Sequence, residues 1–305
     1  MRVCAVDIGT NSARSIVADV TPPSRVVVVH YDGRITRLGE GFAATRTLKP
    51  EAIARTARAT AQFVEHGRRL GASAFKLVAT SAARDAPNGD ELIRALRDAA
   101  GFEPEIISGQ REAELVLAGV RASGLLHEGA SLVVDVGGGS MELITLTPGR
   151  PPQLRSLDVG AVRLTERFIT SDPPTPDELV AASAHAEAEL AGIDVFHGAV
   201  DLVGLGGTIT TIAAMLQALD VYDASKVHGY AIVLDDVEPL ITHVASLTTE
   251  QRRELPGLEP GREDIIVAGC LIVRAVMRPA GSTSMRVSTA GILHGIALDA
   301  AVSTK

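Results

Sequence analysis

The chain has 305 residues, 46% hydrophobic, 22% charged and 3% aromatic with no tryptophan, a composition that excludes a disordered or fibrous protein and counts against an aromatic platform for nucleic acid. Its 29 basic and 37 acidic side chains leave a net charge of −8, which disfavours general polyanion binding but leaves room for arginines gathered on one face. No apolar run approaches the ~20 residues of a membrane span, and two distant cysteines, Cys4 and Cys270, exclude a disulfide framework and a zinc site built on cysteine pairs.

The opening reads as strand, turn, strand: Val3 to Ile8, the polar Gly9-Thr10-Asn11-Ser12, then Arg14 to Val20. Met1-Arg2-Val3 runs straight into that strand without the order of a secretory signal, so a cytoplasmic setting is expected. Thr21-Pro22-Pro23-Ser24 breaks the pattern, and a third strand from Arg25 to Tyr31 is expected to end in a turn at Asp32-Gly33. Helical spacing follows Pro50 to about Leu70, then a short strand from Phe75 to Ala79. Asn88, with Glu91 three residues on, is the expected cap of the next helix. Glu105 to Ile107 reads as a strand and Arg111 to Arg121 as a helix.

Ser123-Gly124 through Gly129 is the expected domain boundary, because the opening pattern then recurs. Leu132 to Val136, the turn Gly137-Gly138-Gly139-Ser140 and Met141 to Leu146 make a second hairpin, and both hairpins begin with a strand ending in Asp-x-Gly. Thr175-Pro176-Asp177-Glu178 is a capping box with proline just inside the helix. Asp201 to Leu205 is a strand, Gly206-Gly207 a turn, and Thr208 opens a helix; the last quarter reads helical around a strand near Met285 to Val287. Strands alternating with helices predict an α/β fold of two domains, 1–124 and 125–305, with the last helix a candidate to pack back on the first.

Three glycine- and hydroxyl-rich turns, each directly after an apolar strand, are the candidate chemistry. They hold Asn11 and Ser12, Gly137 to Ser140, and Gly207 with Thr208. Glycine lets the backbone approach a ligand closely, and successive amides, hydroxyls and a helix N-terminus then cradle phosphate oxygens. The same turns also serve ordinary hairpins, and none has the spacing of a Walker loop or a dinucleotide fingerprint. Asp7 and Asp135, at the strand ends, place carboxylates where a hard divalent cation could bridge to phosphate, with Glu142 on the partner strand of Asp135. The alternative is that each hydrogen-bonds the amides of its own turn.

The whole pattern resembles the exopolyphosphatase and guanosine pentaphosphate phosphatase family, within the superfamily of acetate kinase, sugar kinases, Hsp70 chaperones and actin. Val6 to Arg14, Ala79 to Asp85, Ile107 to Ala113, Asp135 to Glu142, Gly160 to Arg167, Gly206-Gly207-Thr208 and Pro260 to Asp264 support it in order along nearly the entire chain. The chain resembles the short form that lacks a C-terminal helical extension. The resemblance implies two ribonuclease-H-like domains facing across a cleft. It also implies hydrolysis of the terminal phosphoanhydride of inorganic polyphosphate and Mg2+ or another divalent cation as cofactor. A homodimer is the expected assembly, with neither nucleic acid nor membrane as partner.

By the same resemblance Glu112 is the general base. Asn11, Ser12, Arg14, Thr80, Ser81, Arg84, Gly137, Gly138, Gly139, Ser140, Gly207 and Thr208 are phosphate contacts, and Asp135, Glu142 and Asp7 belong to the metal site. Two positions depart from the family pattern. Arg111 stands where an acid usually precedes the glutamate, a charge that would attract substrate or weaken the base. Met141 replaces a threonine, removing a hydroxyl beside the second phosphate loop. Guanosine pentaphosphate, hydrolysed to the tetraphosphate in the stringent response, stays open as the substrate. So does a nucleotide-binding regulator that has lost turnover.

Overall fold

The computed structural model describes residues 1–191, 193 and 201–303. Its chain begins with β1 (Arg2–Ile8), β2 (Ser12–Thr21), β3 (Arg25–Ile35), α1 (Phe42–Thr45), α2 (Pro50–Arg69), β4 (Ala74–Ala79), α3 (Ser81–Asp85), α4 (Gly89–Ala100), β5 (Glu105–Ile106) and α5 (Gly109–Ser123). It continues with β6 (Ser131–Val136), β7 (Met141–Leu146), β8 (Gln153–Leu157), α6 (Ala161–Phe168), α7 (Pro176–Leu190), β9 (Asp201–Leu205) and α8 (Gly207–Leu216). The remainder is α9 (Ala224–Val227), β10 (Ala231–Val233), α10 (Leu234–Ser246), α11 (Thr249–Arg252), α12 (Ile266–Met277), β11 (Ser284–Val287) and α13 (Ile292–Ser303). Two units emerge: Met1–Gly124 with Ala290–Lys305, and Leu125–Thr289. The helix α13, drawn with 125–305 in sequence, thus packs in the first unit.

The first unit's sheet has the order β3-β2-β1-β4-β5, antiparallel from β3 to β1 and parallel from β1 to β5. Alternation along β1 splits two cores. Cys4, Val6 and Ile8 pack with Phe63 and Val64 of α2, whereas Val3 and Ala5 pack with Leu115 of α5 and Ile296 of α13. Phe63 alone, fully buried, contributes about 1.5–3 kcal/mol. The helices α5 and α13 meet at backbone distance: a Cβ on Gly295 would stand 1.9 Å from the Leu115 carbonyl oxygen. That contact fixes α5, whose first turn carries Glu112.

The second unit repeats the plan. Its sheet order is β10-β11-β9-β6-β7-β8, with β6, β7 and β8 antiparallel and β6, β9 and β11 parallel. The core gathers Leu132, Val134 and Val136 of β6 with Ile209 and Ile212 of α8 and the apolar face of α12. The hairpins share the same turn hydrogen bond: the Gly9 amide donates to the Ser12 carbonyl at 3.0 Å, and the Gly137 amide donates to the Ser140 carbonyl at 3.0 Å. The capping box at Thr175 forms as expected, with Glu178 reaching back to the Thr175 amide at 2.9 Å.

Two local expectations are corrected. The strand β3 does not turn at Asp32-Gly33 but runs to Ile35, because the long β2 pairs along its whole length, from Ser12 with Ile35 to Thr21 with Arg25. The Asn88 side chain does not cap α4. It is taken instead by Leu48, accepting from that amide at 2.9 Å and donating to that carbonyl at 3.0 Å. A paired backbone group 40 residues away competes better than a solvated helix end. Among the described residues no helix is long and apolar enough to cross a membrane.

Candidate active site

In the first unit the parallel strands β1, β4 and β5 end in register, Ile8 beside Ala79 and Ala79 beside Ile106. The Gly9–Ser12 turn, Thr80-Ser81 and the α5 cap Ser108 are therefore neighbours at the carboxyl end of the sheet, where α/β folds place ligands. The turn's carbonyls are committed on one side. Thr10 accepts from the Gly39 amide at 2.8 Å, and Asn11 accepts from Thr36 at 3.0 Å and Arg37 at 2.8 Å. Since each peptide is planar and trans, the Asn11 and Ser12 amides face the other way. Asn11 Nδ2 and Ser81 Oγ are buried without a hydrogen-bond partner among the described residues. Such donors cost about 1–3 kcal/mol each unless a ligand satisfies them.

Arg84, on α3, links this end of the sheet to the expected base. Its Nη1 donates to Glu112 Oε2 at 3.0 Å and to the Ile107 carbonyl at 3.2 Å. Glu112 is buried in the first turn of α5, whose cap Ser108 accepts from the Arg111 amide at 3.2 Å. The helix dipole favours a carboxylate there, and Arg84 fixes its direction.

The two Asp-headed hairpins differ in what faces the aspartate. Asp7 lies opposite Arg14, whereas Asp135 lies opposite Glu142. Burial pushes the Asp7 carboxyl up, and the Arg14 charge pulls it back. Asp7 is thus partnered by a cation, while the second hairpin joins two carboxylates. Glu142 is buried and accepts from Ser156 Oγ at 2.8 Å. Asp135 Oδ1 lies against Gly206: a Cβ there would come within 2.4 Å of it. These hard oxygens, in a cradle kept open by a glycine at φ 91°, fit a magnesium ion, which needs only one or two carboxylates beside water and phosphate oxygens.

The Gly137–Ser140 turn, the second expected phosphate loop, is organised by α6. The carbonyl of Gly137 accepts from the Ala161 amide at 3.0 Å, that of Gly138 from Val162 and Arg163 at 2.9 and 3.1 Å, and that of Gly139 from Arg163 Nε at 2.9 Å. Three successive peptides therefore point their oxygens at the start of α6, and planarity turns the amides of Gly138, Gly139 and Ser140 to the opposite side. Consecutive amides aimed one way form an anion cradle. The packing is tight, since a Cβ on Gly160 would fall 2.4 Å from the Gly138 carbonyl. Met141 is fully buried in the unit's core.

At the third turn Thr208 is buried in the first turn of α8. Arg262, to which the sequence reading gave no role, is buried against that helix start: a Cβ on Gly207 would stand 2.1 Å from its Nη2. A buried guanidinium beside backbone amides is a phosphate-binding combination, held here by Glu259. Its only sequence signal is membership of the Pro260–Asp264 segment. Arg111 is turned elsewhere, onto Asp299 at 2.6 Å and Glu114 at 3.2 Å.

Residues 16–304 match the Ppx/GppA phosphatase family. Exopolyphosphatase 2 of Mycobacterium tuberculosis is 38% identical over 318 residues, covering 98% of each chain. The crystal structure of the Aquifex aeolicus Ppx/GppA family member has a TM-score of 0.81 and 30% identity, covering 100% of this chain and 99% of that one. An exopolyphosphatase-like protein has a TM-score of 0.88 and 31% identity over 98% of this chain and 97% of its own. With its two α/β units, the chain belongs to the Ppx/GppA phosphatase family.

Proposed function

We propose that this phosphoanhydride hydrolase is an exopolyphosphatase, removing the terminal phosphoryl group of inorganic polyphosphate as phosphate. The observation that supports the reading is that the Gly137, Gly138 and Gly139 carbonyls are taken by the start of α6, which turns the Gly138, Gly139 and Ser140 amides to the opposite side. Amides, buried hydroxyls and guanidinium groups are all ligands for phosphate oxygens, and such groups recur at each of the three turns.

In this reading Glu112 takes a proton from the attacking water. The water oxygen bonds to the terminal phosphorus, the anhydride bond breaks, and the shortened chain leaves as an oxyanion. Arg84 orients Glu112 and counters charge on the phosphoryl oxygens. Asn11, Ser12 and Ser81 bind those oxygens, as do the Gly138–Ser140 amides and Thr208. Asp135 and Glu142 would hold magnesium, which when bound neutralises charge on the phosphate oxygens. Asp7 is read as the fixed partner of Arg14.

The test is phosphate release from long-chain polyphosphate and from guanosine pentaphosphate, with and without magnesium. The expected result is a higher kcat/KM on polyphosphate that is lost in chelator. A higher value on guanosine pentaphosphate would reassign the substrate, and no turnover of either would leave a binding protein.

A further inference from the structure

Three metal-ligating side chains converge at the edge of the first unit's sheet, apart from the phosphate loops. His30 and Asp32 lie two residues apart on β3 and so share a face. Their cross-strand partners are Val17 and Ser15, and Val17 packs in the core that contains Phe63 and Val64 of α2. The register slips between Val17 and Ala18, passing over Val29, and a bulge of this kind re-aims the side chains beyond it. From the last turn of α2, His66 meets them.

The geometry suits a cation. One ligand atom from each of His30, Asp32 and His66 lies within 4.8 Å of the others. His66 Nδ1 stands 3.4 Å from Asp32 Oδ2, and the two rings meet edge to face with centroids 5.7 Å apart. Tetrahedral zinc with bonds of about 2.0–2.1 Å separates its ligands by about 3.4 Å, so one pair already has the required spacing. His66 Nδ1 is buried and makes no hydrogen bond among the described residues. Asp32 Oδ1 is held by the Gly33 amide at 2.8 Å and by Arg34 Nη1. That leaves Oδ2 turned to the imidazole, as outer partners orient a ligating carboxylate.

We propose that His30, Asp32 and His66 bind a first-row divalent transition metal, zinc foremost, which clips the edge strand β3 to α2. Two imidazoles select against magnesium and calcium, and three protein ligands leave one tetrahedral position to water. The clip would protect an edge otherwise lined by the exposed Val27, Val28 and Val29.

The test is titration of the full chain with zinc chloride in excess magnesium, repeated in an Asp135→Asn/Glu142→Gln background so that the carboxylate pair is not counted. One equivalent of zinc should bind and raise the melting temperature. His30→Ala/His66→Ala should lose about tenfold or more in affinity. Unchanged affinity in that variant, or no binding by the parent chain, overturns the proposal. A second measurement needs no variant. Zinc should protect His30 and His66 of the parent chain from diethyl pyrocarbonate, read by mass spectrometry, and unchanged modification of both would equally overturn it.

Discussion

The Arg111 guanidinium lies 2.6 Å from the Asp299 carboxylate, tying the helix of the expected base to α13. Lys76 of β4 reaches the same carboxylate at 2.5 Å and Glu105 at 3.2 Å, and Arg111 also meets Glu114. The cation that stands where the family usually has an acid is therefore part of a five-member charge network behind α5. Its guanidinium pairs with two carboxylates, Asp299 and Glu114.

The network should be visible in acid. Burial pushes the Asp299 carboxyl up, but hydrogen bonds and charges from Lys76 and Arg111 bring it below its ordinary range. A lowered folded value stabilises the protein above the unfolded value of about 3.9, and that stability is lost as pH falls through the lowered one. Asp299→Asn should cost about 1 kcal/mol at neutral pH, because the partners are partly exposed, and should flatten the loss of stability below about pH 4. Denaturant unfolding across pH checks this, and an unchanged acid limb in the variant refutes it.

Glu112→Gln keeps the side chain's shape and an oxygen for Arg84 but cannot accept the water's proton. Turnover on polyphosphate should fall by about 10²–10⁴ with little change in KM. More than about a tenth of parental turnover would be incompatible with a general base.

Gly160→Ala tests the loop geometry, since the added methyl would meet the Gly138 carbonyl at 2.4 Å. Separating α6 from the loop should cost about 1–3 kcal/mol of stability and raise KM for polyphosphate as the Gly138–Ser140 amides lose their common direction. An unchanged KM would mean that these amides are not the cradle.

Much of this arrangement is legible in the sequence, for a physical reason. The hairpins at Asp7 and Asp135 announce themselves because strand alternation, turn glycines and the carboxylate are all local. So is the Thr175 capping box, where both partners lie three residues apart. What escapes depends on contacts distant in sequence. Leu48 diverts Asn88 from its helix, and β2 extends β3 past Gly33. Gly160 turns the Gly138 peptide from 22 residues away (160 minus 138). Arg262 gains meaning only where α8 begins, and the complete burial of Met141 in the core is seen only in the fold.

Burial pushes both Cys4 and Cys270 thiols up to about 12, so neither forms a reactive thiolate near neutrality. Ellman's reagent should find no accessible thiol in the native chain and both after denaturation. Rapid native reaction of either would contradict its burial.

Four arginines that could form part of a track for long polyphosphate have partners of their own. Arg68 sits 5.6 Å over the Phe102 ring, Arg69 meets Glu65 at 3.5 Å, and Arg111 meets Asp299 and Glu114. Arg163 is held by the Gly139 carbonyl and faces Asp158 at 3.8 Å. On a chain of net charge −8, the proposed reading then has a polyanion captured mainly at the three turns, through contacts within about a Debye length, ~10 Å at 0.1 M salt. Raising salt should weaken long chains and tripolyphosphate in parallel, because both present the same terminal phosphates to the same groups. The measurement is KM for the two substrates across a salt series. A steeper fall for long chains would reveal an outer basic path and, with it, processive degradation.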